Sequence, residues 1–121
     1  MENYNLAKIQ ANIEQMLLRA CQEHEKAIIA YGEANSIYSE DFVNYRQAKA
    51  SVTKRLKAEG EKVTIIADLA NGETIELKGK LLKSEGQMKK CAMMVKALEE
   101  RINAVKYIGR RLDFQEHNPS N

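Results

Sequence analysis

Residues 77–112 decide the fold and read LKGKLLKSEGQMKKCAMMVKALEERINAVKYIGRRL. Apolar side chains recur in this stretch at alternating spacings of four and three residues, so that each member of the pattern returns every seven positions. Such a repeat places the apolar residues on one stripe of an α-helix and is typical of a coiled-coil seam. The pattern therefore predicts one long helix over 73–113. Its seam residues are Leu81, Met88, Cys91, Val95, Leu98, Ile102, Val105 and Leu112.

A seam of this length needs a partner helix, and the first half of the chain offers one. Residues 5–59 carry apolar side chains three and four positions apart, beginning with Leu6, Ile9, Ile13 and Met16. Helix-forming character weakens over 32–39, where we expect the helix to kink or to restart at Ser39-Glu40-Asp41. Segment 5–31 can fold back on the seam in antiparallel orientation, and a second copy of the chain is the other candidate.

Residues 63–77 are ambiguous between a hairpin and a short helix. Asn71-Gly72 between β-branched residues favours a two-residue β-turn. The hairpin register that it sets would send Val63 and Ile75 to opposite faces of the sheet, which a half-buried hairpin disfavours. The alternative is a short linker helix near 65–71 with Thr64 as its N-cap. This helix is the favoured reading, and the small β-hairpin at 63–77 remains the minority one.

The expected fold class is all-α: an elongated helical hairpin, or coiled-coil-like bundle, with a short linker helix. We expect a single domain over 1–121, made of a helical region at 5–59, a linker at 60–72, the long helix and a frayed tail at 114–121. The composition fits, since 30% of the 121 residues are charged and the chain holds one proline and no tryptophan.

Residues that could carry chemistry are sparse. His24 and His117 are isolated, Cys21 and Cys91 lie far apart, and no spacing typical of a metal site or of a nucleophile with its base occurs. We therefore expect no catalytic residue, no cofactor, no metal and no enzymatic activity. No apolar run reaches the ~18–20 residues that a membrane span requires. Free thiols and the lack of a signal pattern predict a cytoplasmic location.

Basic residues form an outward ridge on the long helix, and two glycines lie on a third face. In the heptad frame of the seam the ridge comprises Lys83, Lys89, Lys90, Lys96, Arg110 and Arg111. Gly79 and Gly86 are seven residues apart, and each costs about 1 kcal/mol relative to alanine inside a helix. Both features are candidates for partner binding. The plainer alternatives are a solubilising lysine face and tolerated glycines.

The middle of the chain carries a resemblance. Tyr45-Arg46 precedes Leu56-Lys-Ala-Glu-Gly60, and Val63-Thr-Ile-Ile-Ala-Asp-Leu-Ala-Asn-Gly72 follows. This order resembles small uncharacterised helical proteins of phages and prophages of Gram-positive bacteria, over roughly residues 45–111. Ala67 stands where those proteins have proline. The resemblance implies a phage setting in a bacterial host cell and a helix–linker–helix build, with no catalytic residues to transfer.

Together these features favour a non-enzymatic phage or prophage accessory protein that acts through protein–protein contacts. One such role is the inhibition of a host defence or DNA-processing enzyme. We expect a homodimer, a host or phage protein as partner, and no membrane association. One alternative is a nucleic-acid-binding accessory protein that uses the basic ridge, and another is a structural assembly component.

Overall fold

The computed structural model describes residues 2–117, with side chains described for residues 5–113. This part of the chain contains three helices and no strand: α1 (Glu2–Ala58), α2 (Val63–Glu73) and α3 (Ile75–His117). The expected all-α class is therefore confirmed. The minority reading, a β-hairpin at 63–77, is wrong, because those residues form α2 and the first turn of α3.

Burial along α1 follows two sets of residues, each of which returns every seven positions. The first set is mostly small and the second mostly large, and every member is buried or half-buried. The first set is Leu6, Ile13, Ala20, Ala27, Ala34, Asp41 and Ala48; the second is Gln10, Leu17, His24, Tyr31, Tyr38, Tyr45 and Val52. Since α3 carries the same kind of repeat, α1 supplies the partner seam that the sequence required.

The helix α1 is continuous through residues 32–39. Ala34 stays buried and Tyr38 half-buried, so the inward-facing pattern is not interrupted there. Asp41 does not start a new helix. It is a buried member of the first set, and its carboxylate lies 3.6 Å from the ammonium group of Lys80.

The end of α1 is closed by a glycine in the left-handed region. Gly60 has φ +82, its N–H donates to the carbonyl of Lys57 at 3.1 Å, and the N–H of Glu61 donates to that of Leu56, also at 3.1 Å. This pair of bonds is a Schellman motif, which satisfies carbonyls that the last helical turn leaves free. Glycine adopts this backbone conformation without the steric penalty of a Cβ atom.

The linker predicted at 60–72 is helical from Val63 onward, and α2 passes through Asn71 and Gly72 to Glu73. Its N-cap is Lys62, which makes no side-chain capping bond, so Thr64 is not the cap. Thr74 ends the helix, with both its N–H and its hydroxyl donating to the carbonyl of Ala70, at 3.1 and 2.7 Å. These bonds extend α2 by two residues beyond Asn71, and α3 consequently begins at Ile75 rather than at residue 73.

The other end of α3 also differs from expectation. The helix reaches His117, so residues 114–117 of the expected frayed tail are helical, and 118–121 lie outside the described residues. Residues 114–117 contain neither glycine nor proline, and the first helix breaker is Pro119. The eight predicted seam residues of α3 are all buried or half-buried.

The chain divides into two compact units, which we call the terminal unit (Met1–Ala30 with Ala92–Asn121) and the central unit (Tyr31–Cys91). In the terminal unit α1 and α3 run antiparallel. His24 lies 3.4 Å from the carboxylate of Glu99, and Arg101 lies 3.5 Å from that of Glu23. In the central unit α2 packs on α1 through a buried cluster of Leu56, Ile66 and Ala70.

Candidate partner-binding surfaces

The six residues of the predicted basic ridge are all exposed, and they are distributed over the two units. Lys83, Lys89 and Lys90 belong to the central unit. Lys96, Arg110 and Arg111 belong to the terminal unit. Lys89 is already engaged, because its ammonium group lies 2.9 Å from the Glu85 carboxylate, and this hydrogen bond raises the pKa of Lys89. Partner binding by the ridge stays a prediction.

The glycine face lies in the central unit. A Cβ atom added at Gly79 or at Gly86 would meet nothing within 4 Å. Ile75 and Leu82, on the same outward side of α3, are exposed as well. The glycines therefore make no close contact within the described chain. Gly109, by contrast, faces Ile13, whose Cγ2 would lie 3.7 Å from an added Cβ.

A groove of about 480 Å³ lies between α1 and α3 in the terminal unit, and we call it the methionine groove. Ala27 and Leu98 form its buried floor, and Met94 at its edge is 53% exposed. The ion pair between Glu23 and Arg101 lies at one end. The remaining lining residues are Lys26, Ala30 and Ala97. Small side chains on both helices leave this space beside the seam.

A second hollow of about 240 Å³ continues the methionine groove, since Glu23 and Arg101 line both. Met16, which is 52% exposed, lines this hollow. Ile9, Met16 and Ala30 fall at seven-residue multiples on α1, as do Met94 and Ile108 on α3. On each helix this series is apolar except at one position, where Glu23 and Arg101 stand.

The sequence reasoning assigned Ile9 and Met16 to the packed stripe of the N-terminal helix, and this assignment was wrong. Both side chains are about half exposed, at 46% and 52%. The pattern that would have placed them correctly is the seven-residue recurrence of alanine at Ala20, Ala27 and Ala34. Alanine is only weakly hydrophobic, so the larger apolar residues beside it determined which face of the helix was predicted to be buried.

A different kind of groove, of about 680 Å³, runs along one face of α1 in the central unit. Its side chains are basic and aromatic, and we call it the basic–aromatic groove. The residues that matter are Phe42, Tyr45, Arg46, Lys49, Lys54 and Lys57. Arg46 lies 5.6 Å from the ring centre of Phe42, and the ammonium groups of Lys49 and Lys78 lie 5.8 and 5.1 Å from that of Tyr45. Spacing along the sequence did not group these aromatics with the cations.

Within the described residues, no cluster of three or more histidine, cysteine, aspartate or glutamate side chains is placed to hold a metal ion. The same part of the chain has no helix that combines the length and the apolar character needed to cross a membrane. Cys21 and Cys91 are free thiols, both half-buried.

No protein-family model, no curated protein and no solved structure matches this chain. The class of protein is therefore defined by its fold and its grooves. Over residues 2–117 the chain is all-α and has three helices, with a groove between α1 and α3 and another along one face of α1.

Proposed function

We propose that this chain is a non-enzymatic binding protein that takes up an apolar helix of a partner protein in the methionine groove. The observation that carries the proposal is the groove itself. It has a small-residue floor at Ala27, and an exposed methionine on each bordering helix, Met16 on α1 and Met94 on α3. An amphipathic helix laid in such a groove would bury its own apolar face and complete a three-helix packing.

The exposed surface of the chain supports a role in binding. Its accessible area is 9562 Å², whereas a globular monomer of 13.7 kDa exposes roughly 6,600 Å². The excess is larger than the 1,200–2,000 Å² or so that a standard protein–protein interface buries in total. In addition, none of the described side chains is both large and fully buried. A partner would remove apolar surface that the chain alone leaves in water.

The side chains that line the groove suit a helical partner. Methionine is flexible and polarisable, so Met16 and Met94 can adapt to the shape of an incoming apolar face. The charged pair Glu23–Arg101 at the groove's end provides polar contacts that would fix the register of that helix. Affinity and orientation would thus come from different residues of the same groove.

The biological setting is part of the proposal and rests on the resemblance over residues 45–111. We place the protein among phage or prophage accessory proteins in the cytoplasm of a bacterial host. If the helix that it takes up belongs to a host defence or DNA-processing enzyme, occupation of the groove would make the chain an inhibitor. A second copy of the chain is the competing occupant, and a homodimer would then form.

Adjacent methionines provide the test. Met94→Glu places a charge at the lip of the groove, whereas Met93→Glu makes the same change one residue away on the outward face, where Met93 is 72% exposed. Affinity capture from a nuclease-treated host lysate should retain a partner with the wild type and with Met93→Glu. The partner should be lost with Met94→Glu, because burying an unpaired carboxylate opposes binding.

Sedimentation over a concentration series identifies the occupant. A wild-type dimer that Met94→Glu dissociates, and Met93→Glu does not, assigns the groove to a second copy. A wild type that stays monomeric at high micromolar concentration excludes the second copy and leaves the captured protein as the occupant. Equal loss of the partner in both variants contradicts a role for the groove.

A further inference from the structure

The geometry of the central unit points to a second binding site: we propose that the basic–aromatic groove binds single-stranded nucleic acid. Its cations would contact phosphates, and Phe42 would offer a face on which a base stacks. The site uses α1 between Phe42 and Lys57 and shares no residue with the methionine groove. The two proposals therefore fail independently.

The first support for this proposal is the positive charge of the basic–aromatic groove. The groove is lined by Arg46, Lys49, Lys54 and Lys57 and by no acidic residue. Among the described side chains, no carboxylate lies within 4.0 Å of these four cations. A run of cations without an internal counter-ion is suited to a polyanion, whose binding releases condensed counterions.

Nearby acids have partners elsewhere in the unit. The carboxylate of Asp41 lies 3.6 Å from Lys80. Arg55 donates to Glu73 at 2.6 Å and lies 3.5 Å from Glu59, and its bond with Glu73 raises the pKa of Arg55. Three of the nearby carboxylates, those of Asp41, Glu59 and Glu73, are thus paired with cations outside the groove.

The aromatic rings distinguish nucleic acid from an acidic peptide. Phe42 is 38% exposed and has the Arg46 guanidinium over its ring at 5.6 Å. Tyr45 has the ammonium groups of Lys49 and Lys78 at 5.8 and 5.1 Å from its ring centre. A nucleotide uses both parts of this arrangement, because its base stacks on a ring and its phosphate meets the adjacent cation. An acidic side chain would use the cations alone.

The scale and position of the groove favour a single strand over a duplex. From Arg46 to Lys57 the cations extend roughly 16 Å along the axis, at ~1.5 Å per residue. All of them lie on one face of one helix. In a duplex the bases are stacked on one another and unavailable to Phe42, whereas a single strand can turn its bases onto the ring.

Fluorescence anisotropy with a labelled oligothymidylate of about twelve nucleotides tests the site over a series of KCl concentrations. For a single strand, the logarithm of the affinity falls with the logarithm of salt by about 0.7 per phosphate contact. Four contacts predict a slope of about −2.8, and the double variant K54Q/K57Q should reduce it to about −1.4. Both lysines are exposed, so the variant should keep its helical circular dichroism.

Phe42→Leu separates stacking from charge. Loss of one base–aromatic stack should weaken binding roughly 5- to 150-fold and leave the salt slope unchanged. The comparison variant K83Q/K90Q removes two exposed lysines from α3 in the same unit and tests the ridge instead. It should change the slope far less than K54Q/K57Q.

Several results would overturn the proposal. These are no binding at low salt, an equal or larger effect of K83Q/K90Q, and unchanged affinity in Phe42→Leu. Polyglutamate that binds as tightly as the oligonucleotide would assign the groove to acidic proteins. A duplex of the same length that binds more tightly than the single strand would equally exclude the stacking arrangement.

Discussion

Asp41 is the one acidic member of the first set on α1, whose members are mostly small. It is 7% exposed, and the ammonium group 3.6 Å away belongs to Lys80, which is mostly in solvent. A buried carboxylate needs such a partner, because an unpaired one carries a large desolvation penalty. The four other described members of the set from residue 20 to residue 48 are alanines.

Removing Asp41 and removing Lys80 should have different effects on the free energy of unfolding. Asp41→Ala should leave the free energy of unfolding unchanged or raise it by about 1 kcal/mol, since the charge is removed from the seam and the alanine pattern is completed. Lys80→Ala should lower it by about 1 kcal/mol, because the carboxylate remains buried without its partner. Urea unfolding at neutral pH measures both, and a loss of stability in Asp41→Ala would contradict the reasoning.

The glycines are of two kinds, those in helical backbone with room for a Cβ atom and Gly60, which has a positive φ. Gly79→Ala and Gly86→Ala should each raise the free energy of unfolding by about 1 kcal/mol, because both positions are helical and an added Cβ meets nothing within 4 Å. Gly60→Ala should lower it by about 1 kcal/mol, since φ is +82 there. Thermal melts of the three variants provide the measurement, and a lower midpoint for Gly79→Ala would show an unrecognised contact.

At the scale of elements, α2 depends on a small buried cluster on α1. Ile66 is 5% exposed and packs with Leu56 and Ala70, whereas its neighbour Ile65 is 40% exposed. The eleven residues of α2 are too few to form a stable helix in isolation, so tertiary packing supplies their stability.

Ile66→Ala should therefore destabilise the protein by about 2–3 kcal/mol through lost burial and a residual cavity. Ile65→Ala provides the control and should cost less than about 1 kcal/mol, since much of that side chain is already in water. Amide hydrogen exchange would locate the effect, with protection lost first in Val63–Glu73. Equal effects of the two substitutions would mean that α2 is not held through this face.

At the scale of the whole molecule, the large exposed area has a thermodynamic consequence. An unfolded chain of 13.7 kDa exposes roughly 20,000 Å², so unfolding from 9562 Å² uncovers about three-quarters of what a globular monomer of that mass would uncover. The dependence of unfolding free energy on urea, the m-value, scales with this area.

We expect the m-value of the monomeric chain to be about three-quarters of that of a globular protein of equal length. Urea titrations at low protein concentration measure it. If a second copy occupies the methionine groove, the m-value and the midpoint should both rise with protein concentration. An m-value as large as that of a globular protein at the lowest concentration would contradict the large accessible area of the chain.

The sequence by itself determined the helical class and the placement of the α3 seam residues, because a seven-residue repeat of large apolar side chains has one geometric solution on a helix. Thr64 was wrong as the N-cap of the short helix, because α2 already begins at Val63. The end of α2 depends on tertiary packing, since Thr74 donates to the carbonyl of the buried Ala70. Only tertiary structure decided the methionine groove. It arises where α1 and α3 place small side chains beside each other, and that neighbourhood is fixed by packing and not by spacing along the chain.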